Sequence, residues 1–260
     1  LRNNLYLRGS VYDKYSGFNW SKSRKPSKLY DKDMEVELPE KAKYNELEVE
    51  IKPERLAAST LFNALYPVKI ENAGDKVFIN EDMEIYSKNI LNHDTSYKMI
   101  SKIPVVSENM LKSQAIDEDI DRIYMNLPRN IPDRVKDLAE ELTQGKSSAY
   151  EKAKAIEEYL RKNYSYTLKP QRIPDGKDFV DYFLFEEKEG YCTYFASSMA
   201  VMLRIAGIPS RYVEGFLVKT EGSGTRTYSL RDSDAHAWVE AYLGEYGWIS
   251  FEPTPAYEQI

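Results

Sequence analysis

The stretch Gly190-Tyr191-Cys192-Thr193-Tyr194-Phe195-Ala196-Ser197-Ser198-Met199 contains the only cysteine of this 260-residue chain. Apolar side chains then recur at helical spacing as far as Ala206, and Gly207 and Pro209 end the pattern. The spacing predicts a helix that begins at or next to Cys192. The N–H groups and the positive dipole end of a helix start favour a thiolate and stabilise a developing oxyanion. The cysteine is therefore either an activated nucleophile or a buried structural thiol.

The composition excludes several classes of site. One thiol cannot form an intrachain disulfide, and one thiol with two imidazoles cannot build a Cys/His zinc site or hold an iron–sulfur cluster. A formal net charge of −6 argues against a nucleic-acid-binding protein, which needs a basic face. The 42% hydrophobic and 30% charged residues predict a globular protein, and no apolar run is long enough to span a membrane. We expect neither a metal nor a cofactor.

The N-terminal part of the chain has the period of β-strands. In Tyr44–Ile51 apolar residues alternate with glutamates, which predicts a half-buried strand. Asn80-Glu81-Asp82 separates two short apolar runs, the pattern of a hairpin, and a further strand is expected over 97–103, ended by Pro104. Several short strands with turn signals between them predict a small all-β domain over 1–114.

The remainder of the chain begins with helical spacing. Pro132 is suited to the first position of one helix, and Gly145 to its C-terminal stop. Ser148 and Glu151 have the spacing of a capping box that would start another. These signals predict a second domain over 115–260. An earlier helix is expected from the spacing of Ile116, Ile120, Ile123 and Leu127.

A nucleophilic thiol needs a general base, and the chain has two histidines. His93 lies in a turn-like Asn-His-Asp context and is expected to be a surface residue. His236 lies in 234–242, which alternates like a strand. A turn around Gly244 and Gly247 follows, and then a second strand that ends at Glu252.

Antiparallel pairing of these two strands places His236 and Glu252 on one face. If Glu240 faces Trp248, then His236 faces Glu252 directly; a shift of two residues makes the pair diagonal, and a shift of one separates the faces. Glu252 would then orient the imidazole and stabilise the imidazolium, as the acid of a Cys–His–acid triad does. The alternative for Glu252 is an exposed carboxylate at a strand end, and Asp234 is a secondary candidate for the acid.

Four blocks of sequence surround these residues in one order. They are Gly190-Tyr191-Cys192 with Phe195-Ala196, Arg204-Ile205-Ala206-Gly207-Ile208-Pro209-Ser210-Arg211, Ala235-His236-Ala237-Trp238-Val239-Glu240, and Gly247-Trp248 with Glu252-Pro253-Thr254. Together they resemble the transglutaminase core, and more specifically that of the bacterial membrane-anchored transglutaminase-like proteins. Leu7-Arg8-Gly9 and Tyr164-Ser165-Tyr166-Thr167 are also similar to segments of those proteins.

The resemblance implies a papain-like α+β catalytic domain, with N-terminal helices and a nucleophile helix packed on an antiparallel sheet, preceded here by the small all-β domain. It assigns Cys192, His236 and Glu252 to the triad, although aspartate is usual where this chain has Glu252. The added methylene changes the reach of the acid and leaves its acceptor chemistry the same. An upstream aromatic residue would supply a second oxyanion donor; Tyr166 is the candidate, and a packed tyrosine is the alternative. The resemblance further implies flanking membrane helices outside this sequence and an extracytoplasmic location.

The chemistry expected from these residues is thiol-dependent acyl transfer at a peptide or protein amide. Cys192 attacks the carbonyl, His236 transfers the proton, and the acyl group passes to a lysine amine or to water. Transfer to an amine makes a protein cross-linker; transfer to water makes a deamidase or a cysteine peptidase acting on cell-envelope substrates. A non-catalytic peptide-binding module of the same fold is the competing class. The residues do not distinguish these outcomes, and they do not set an oligomeric state.

Overall fold

The computed structural model describes residues 2–31, 36–55, 57–74, 76–91, 94–105, 107, 120–221 and 224–255. In chain order the strands are β1 Arg2–Tyr12, β2 Lys14–Tyr15, β3 Trp20–Ser21, β4 Ser27–Leu29, β5 Lys43–Ile51, β6 Ala58–Leu61, β7 Pro67–Glu71, β8 Val77–Asn80, β9 Ile85–Leu91, β10 Tyr97–Val105, β11 Ser165–Tyr166, β12 Glu189–Gly190, β13 Ser210–Glu221, β14 Ala235–Tyr242 and β15 Trp248–Phe251. The α-helices are α1 Asp133–Thr143, α2 Ala149–Asn163, α3 Phe179–Tyr182 and α4 Cys192–Ile205. Short 3-10 helices cover Arg122–Met125, Asp232–Asp234 and Gly244–Tyr246, and a π-helix covers Phe183–Glu187.

Two compact units share the chain, and their segments alternate along the sequence. The β-rich unit comprises Leu1–Val11, Arg24–Val105 and Glu214–Ala235, and the helical unit comprises Tyr12–Ser23, Val106–Val213 and His236–Ile260. Strand β13 therefore starts in the helical unit and continues in the β-rich one. The boundary predicted between residues 114 and 115 lies outside the described residues and stays a prediction.

The β-rich unit contains two antiparallel sheets. Their strand orders are β5-β10-β7 and β4-β8-β9-β6. The alternation predicted for Tyr44–Ile51 is confirmed, because the glutamates of β5 are exposed while Leu47, Val49 and Ile51 are partly buried. The hairpin predicted around 80–82 is also confirmed, with Ile79 opposite Ile85. The core of the β-rich unit includes a cluster of buried residues: Leu61, Ile70, Ala73, Val77, Ile79, Ile85, Leu91, Tyr97 and Met99.

One strand end in this unit differs from the prediction. Strand β10 does not stop at Pro104 but continues to Val105, with Pro104 opposite Tyr44 of β5. On its other side β10 pairs with β7 only over 98–101. A proline has no N–H to donate, so it is tolerated where a strand has a ladder partner on one side only.

The helix starts and stops of the second unit follow the sequence signals closely. Helix α2 has the predicted capping box: the Ser148 hydroxyl accepts from the Glu151 N–H, and the Glu151 carboxylate accepts from the Ser148 N–H. Helix α1 ends before Gly145, whose φ of +74° suits a glycine after a helix. Pro132 is the N-cap of α1, one residue before its predicted place, because its ψ of 139° is still extended.

The helix expected before α1 is not formed over its described residues, 120–127. A single 3-10 turn, Arg122–Met125, is found there, and Ile116 lies outside the described residues. Asn126 is extended, and Pro128 disfavours helical backbone at the residue before it. The proline therefore outweighs the helical spacing of the apolar residues.

Helix α4 lies at the centre of the helical unit. From Tyr194 to Arg204 its side chains are buried, and α1, α2 and α3 all pack against it. The sheet of this unit consists of the start of β13, then β14 and β15. A hydrogen bond of 2.7 Å from the Ser210 hydroxyl to the Ala200 carbonyl joins β13 to α4. The thiol-bearing helix is therefore fixed in the core rather than at the surface.

Candidate active site

Cys192 is the first residue of α4, as the sequence predicts. Tyr191 is the N-cap, with an extended backbone and no side chain capping the helix. The cysteine is partly buried and is not in a disulfide. Its side chain therefore lies at the N-terminal, electropositive end of a helix whose remaining length is buried.

The strand next to the start of α4 contains Tyr166. Strands β11 and β12 are parallel and place Tyr166 opposite Gly190, and the Thr167 N–H donates to the Gly190 carbonyl at 2.8 Å. A Cβ at Gly190 would lie 2.5 Å from Cγ of Tyr194, so this close approach requires glycine. Tyr166 is partly buried, and its strand partner Gly190 lies two residues before Cys192. Its role as an oxyanion donor stays a prediction.

His236 is the second residue of β14, and its side chain is almost fully buried. Its Nε2 lies 2.6 Å from Oε2 of Glu252. Cys192 is close enough to the imidazole to raise its pKa. Because Nε2 faces the carboxylate, Nδ1 is the nitrogen available to the sulfur. The structure thus brings the three predicted triad residues together, and all three belong to the helical unit.

The strand register behind this contact differs from the simplest pairing. Glu240 lies opposite Ser250, and Tyr242 opposite Trp248, a shift of two residues from the pairing of Glu240 with Trp248. His236 and Glu252 are consequently diagonal neighbours on one face, the arrangement that a two-residue shift predicts. Diagonal neighbours are within reach of long side chains, which glutamate provides.

The charge state of His236 follows from its surroundings. Burial, the largest influence, lowers the pKa of the imidazole. Interactions with Glu252, and then with Cys192, raise the pKa by more. The pKa therefore rises from 6.5 to about 9. His236 is therefore an imidazolium at neutral pH.

Three hydrogen bonds hold Glu252, one to its carboxylate and two to its main chain. The Thr254 N–H donates to Oε1 of its carboxylate at 3.0 Å. From helix α2, the Glu157 carboxylate accepts the Glu252 N–H at 2.8 Å, and the Arg161 guanidinium donates to the Glu252 carbonyl at 3.2 Å. The main chain of Glu252, whose carboxylate faces His236, is therefore held by helix α2.

The secondary candidate for the acid has a different role. Asp234 is the last residue of the 3-10 turn Asp232–Asp234, and its Oδ2 accepts the Arg231 N–H at 2.7 Å. Asp234 thus caps its own turn. The carboxylate in contact with His236 is that of Glu252.

The remaining predictions concern His93 and bound metals. His93 lies outside the described residues. Within the described ranges, no group of three His, Cys, Asp or Glu side chains is placed to hold a metal ion. Of the helices built from the described residues, none is long and apolar enough to cross a membrane.

Sequence reasoning missed a residue that contacts Glu252. Glu157 occupies a position on the apolar stripe of α2, among Ala153, Ile156 and Leu160, and is 3% exposed. A carboxylate on an otherwise apolar stripe is the signal that could have identified it.

A second missed group is aromatic and lies around the start of α4. The Tyr212 hydroxyl donates to the Thr193 hydroxyl at 3.3 Å. Trp20 stacks on Tyr212 with ring centroids 5.5 Å apart, and its indole N–H donates to the Ser197 hydroxyl at 3.0 Å. No sequence pattern places residue 20 next to residue 212, because only the tertiary structure joins them.

Two parts of the chain match families of known proteins. Residues 136–253 match the transglutaminase-like superfamily, and residues 1–108 match the TgpA N-terminal domain. The chain is 37% identical over 177 residues to the Bacillus subtilis (strain 168) protein described as uncharacterized protein YebA, covering 65% of this chain and 24% of that protein. It is 35% identical over 145 residues to a Pseudomonas aeruginosa protein-glutamine gamma-glutamyltransferase, covering 55% of this chain and 21% of that protein. The chain thus spans about a quarter of the length of these two relatives.

A solved structure is similar over nearly the whole chain. The crystal structure of the periplasmic domain of TgpA from Pseudomonas aeruginosa bound to ethylmercury matches with a TM-score of 0.69 and 25% identity, covering 96% of this chain and 83% of that one. These matches confirm the predicted fold class, an α+β transglutaminase-like core preceded by an all-β region. Cys192, His236 and Glu252 all lie in the part of the chain, residues 136–253, that matches the transglutaminase-like superfamily.

Proposed function

We propose that this protein is a thiol-dependent acyltransferase that acts on peptide or protein amides, with Cys192 as nucleophile and His236 and Glu252 as its partners. The observation that supports this most directly is the buried His236–Glu252 contact of 2.6 Å, made by an imidazole whose pKa Cys192 also raises. Such a set of groups, with the sulfur at a helix start, has the parts that covalent catalysis by a thiol requires.

The reaction proceeds in two halves. The thiolate attacks the carbonyl carbon of the amide, and N–H groups at the start of α4 stabilise the oxyanion, with Tyr166 proposed as a second donor. The carbon–nitrogen bond then breaks, and the imidazolium gives its proton to the departing ammonia or amine. In the second half, neutral His236 takes a proton from a lysine amine or from water, which attacks the thioester and releases the Cys192 thiolate.

The choice between an amine and water as acceptor defines the activity. We favour a glutamine side chain as acyl donor and an amine as acceptor, because the Pseudomonas relative is described as a protein-glutamine gamma-glutamyltransferase. A deamidase or cysteine peptidase uses the same triad with water as acceptor. A non-catalytic peptide-binding module would not need the buried pair of His236 and Glu252.

The site of action is proposed to be the extracytoplasmic face of a membrane. A similar solved structure is described as a periplasmic domain. Membrane attachment would then come from segments flanking this sequence, and the substrates would be proteins or peptides of the cell envelope.

The test is a product assay on an unfolded, glutamine-containing protein. Three products are measured in parallel: a labelled primary amine incorporated, ammonia released, and the chain cleaved. We expect amine incorporation by the wild type and none by Cys192→Ala. Ammonia without incorporation would identify a deamidase, and cleavage a peptidase.

Alkylation of the thiol tests the site without any substrate. Iodoacetamide can modify only Cys192, because the chain has one cysteine. We expect modification below neutral pH that His236→Ala slows. If labelling needs the alkaline pH of an ordinary thiol and no product forms in the first assay, the binding-module alternative is the better one.

A further inference from the structure

One face of helix α2 contacts both the N–H and the carbonyl of Glu252. Glu157 and Arg161 are four residues apart and so lie next to each other on this face. Glu157 accepts the Glu252 N–H at 2.8 Å, and Arg161 donates to the Glu252 carbonyl at 3.2 Å. Both hydrogen-bonding groups of this residue's backbone are therefore taken by a single helix.

The position of Glu252 explains why such contacts would matter. Strand β15 ends at Phe251, the last residue paired across to β14. The sheet ladder therefore does not hold Glu252, although its carboxylate has to stay 2.6 Å from His236. The two α2 side chains take the place of the missing ladder bonds.

The burial of Glu157 indicates that its carboxylate has a specific task. Burying a carboxylate is unfavourable unless it is paired and hydrogen-bonded. Glu157 is 3% exposed on an otherwise apolar stripe, where a leucine would fill the same space. Its contacts include Lys154, one turn back on the same helix, and the Glu252 N–H, which belongs to the site.

We propose that Glu157 and Arg161 are positioning residues that hold the Glu252 carboxylate against His236. This inference rests on the proposed function, since it assigns the two residues a part in the same triad. They act through Glu252 and do not touch the reacting atoms.

The expected consequence is electrostatic. His236 faces the titratable groups Glu252 and Cys192. The main chain of Glu252 contacts Arg161 and Glu157, and Glu157 pairs with Lys154. If the Glu252 carboxylate moves away, the imidazolium loses stabilisation and its pKa falls, so less imidazolium is present beside the sulfur during alkylation.

The test measures the rate of iodoacetamide alkylation against pH for Glu157→Leu and Arg161→Met. For each we expect the midpoint of the profile to move up by about one pH unit, so that on the rising part of the profile, well below the midpoint, alkylation is about tenfold slower than in the wild type at the same pH. Glu157→Gln retains an oxygen that can accept the Glu252 N–H, and should restore most of the profile. Glu158→Gln is the matched control, since Glu158 is exposed on the same helix and pairs with Lys162; its profile should equal that of the wild type.

A second readout separates positioning from mere stability. Imidazole proton resonances of the two histidines, assigned with a His93→Gln variant, report the His236 titration directly. We expect the midpoint to fall in Arg161→Met as well as in Glu157→Leu, so the test stands even if Glu157→Leu does not fold.

The outcomes distinguish this inference from the function beneath it. If the variants lose thermal stability but keep the wild-type alkylation profile and His236 titration, the two residues are structural and the inference is wrong. If the wild type itself shows no alkylation at pH 6, the proposed function fails first, and the inference fails with it.

Discussion

Replacing Glu252 by glutamine removes the charge beside His236 and keeps an acceptor of the same shape. In the folded protein the pKa of His236 is raised from 6.5 to about 9, by attraction and hydrogen bonding that outweigh its burial. At about 1.36 kcal/mol per pKa unit, this rise corresponds to about 3 kcal/mol of stabilisation. Without the Glu252 charge, the influences that raise the pKa no longer outweigh burial to the same extent, and the His236 pKa should fall well below 9.

The sign of the pH dependence follows from this rise. Because the folded state binds the proton more tightly than the unfolded state, the stabilisation is complete below pH 6.5 and is lost as the pH rises to about 9. Glu252→Gln should therefore lower the free energy of unfolding most at pH 6, and the difference from the wild type should shrink toward pH 9.5.

Urea denaturation of both proteins at pH 6 and pH 9.5 measures this difference. Glu158→Gln, which changes an exposed carboxylate on α2, serves as the control and should show little difference at either pH. A Glu252→Gln penalty that is the same at both pH values would refute the reasoning. So would a His236 resonance that still titrates near 9 in the variant.

Three further substitutions have expected outcomes. Ser148→Ala should cost about 1 kcal/mol in urea denaturation, because it removes the cap of α2, and a neutral result would show that the cap is dispensable. Gly190→Ala should cost about 1–3 kcal/mol and slow alkylation, because its Cβ would lie 2.5 Å from Tyr194; an unchanged melting temperature would contradict the close approach. Arg211 and Glu240 form a fully buried pair at 2.6 Å, so Glu240→Ala should cost about 3–5 kcal/mol by leaving an unpaired charge, and a cost below that of Ser148→Ala would argue against burial of the pair.

Features that depend on neighbours in sequence were predictable. The start of α4 at Cys192, the capping box of Ser148 with Glu151 and the alternation of β5 all follow from local backbone and side-chain chemistry. Two other local signals were misleading. The spacing of Ile116, Ile120, Ile123 and Leu127 predicted a helix, but only a 3-10 turn forms over the described residues 120–127, and Pro128 disfavours helical backbone at Leu127. Pro104 did not end β10, because the strand has a ladder partner on one side only at that point.

By itself, the sequence determined which groups could perform the chemistry: one thiol at a helix start, and an imidazole and a carboxylate on neighbouring strands. It restricted their register to shifts of an even number of residues, because the side-chain period of a strand is two. Only the tertiary structure decided which register occurs, and with it that His236 meets Glu252 diagonally. Only the tertiary structure showed that Glu157 and Arg161 contact the main chain of Glu252. Contacts between residues about ninety positions apart depend on how the whole core packs, and they leave no local pattern in the sequence.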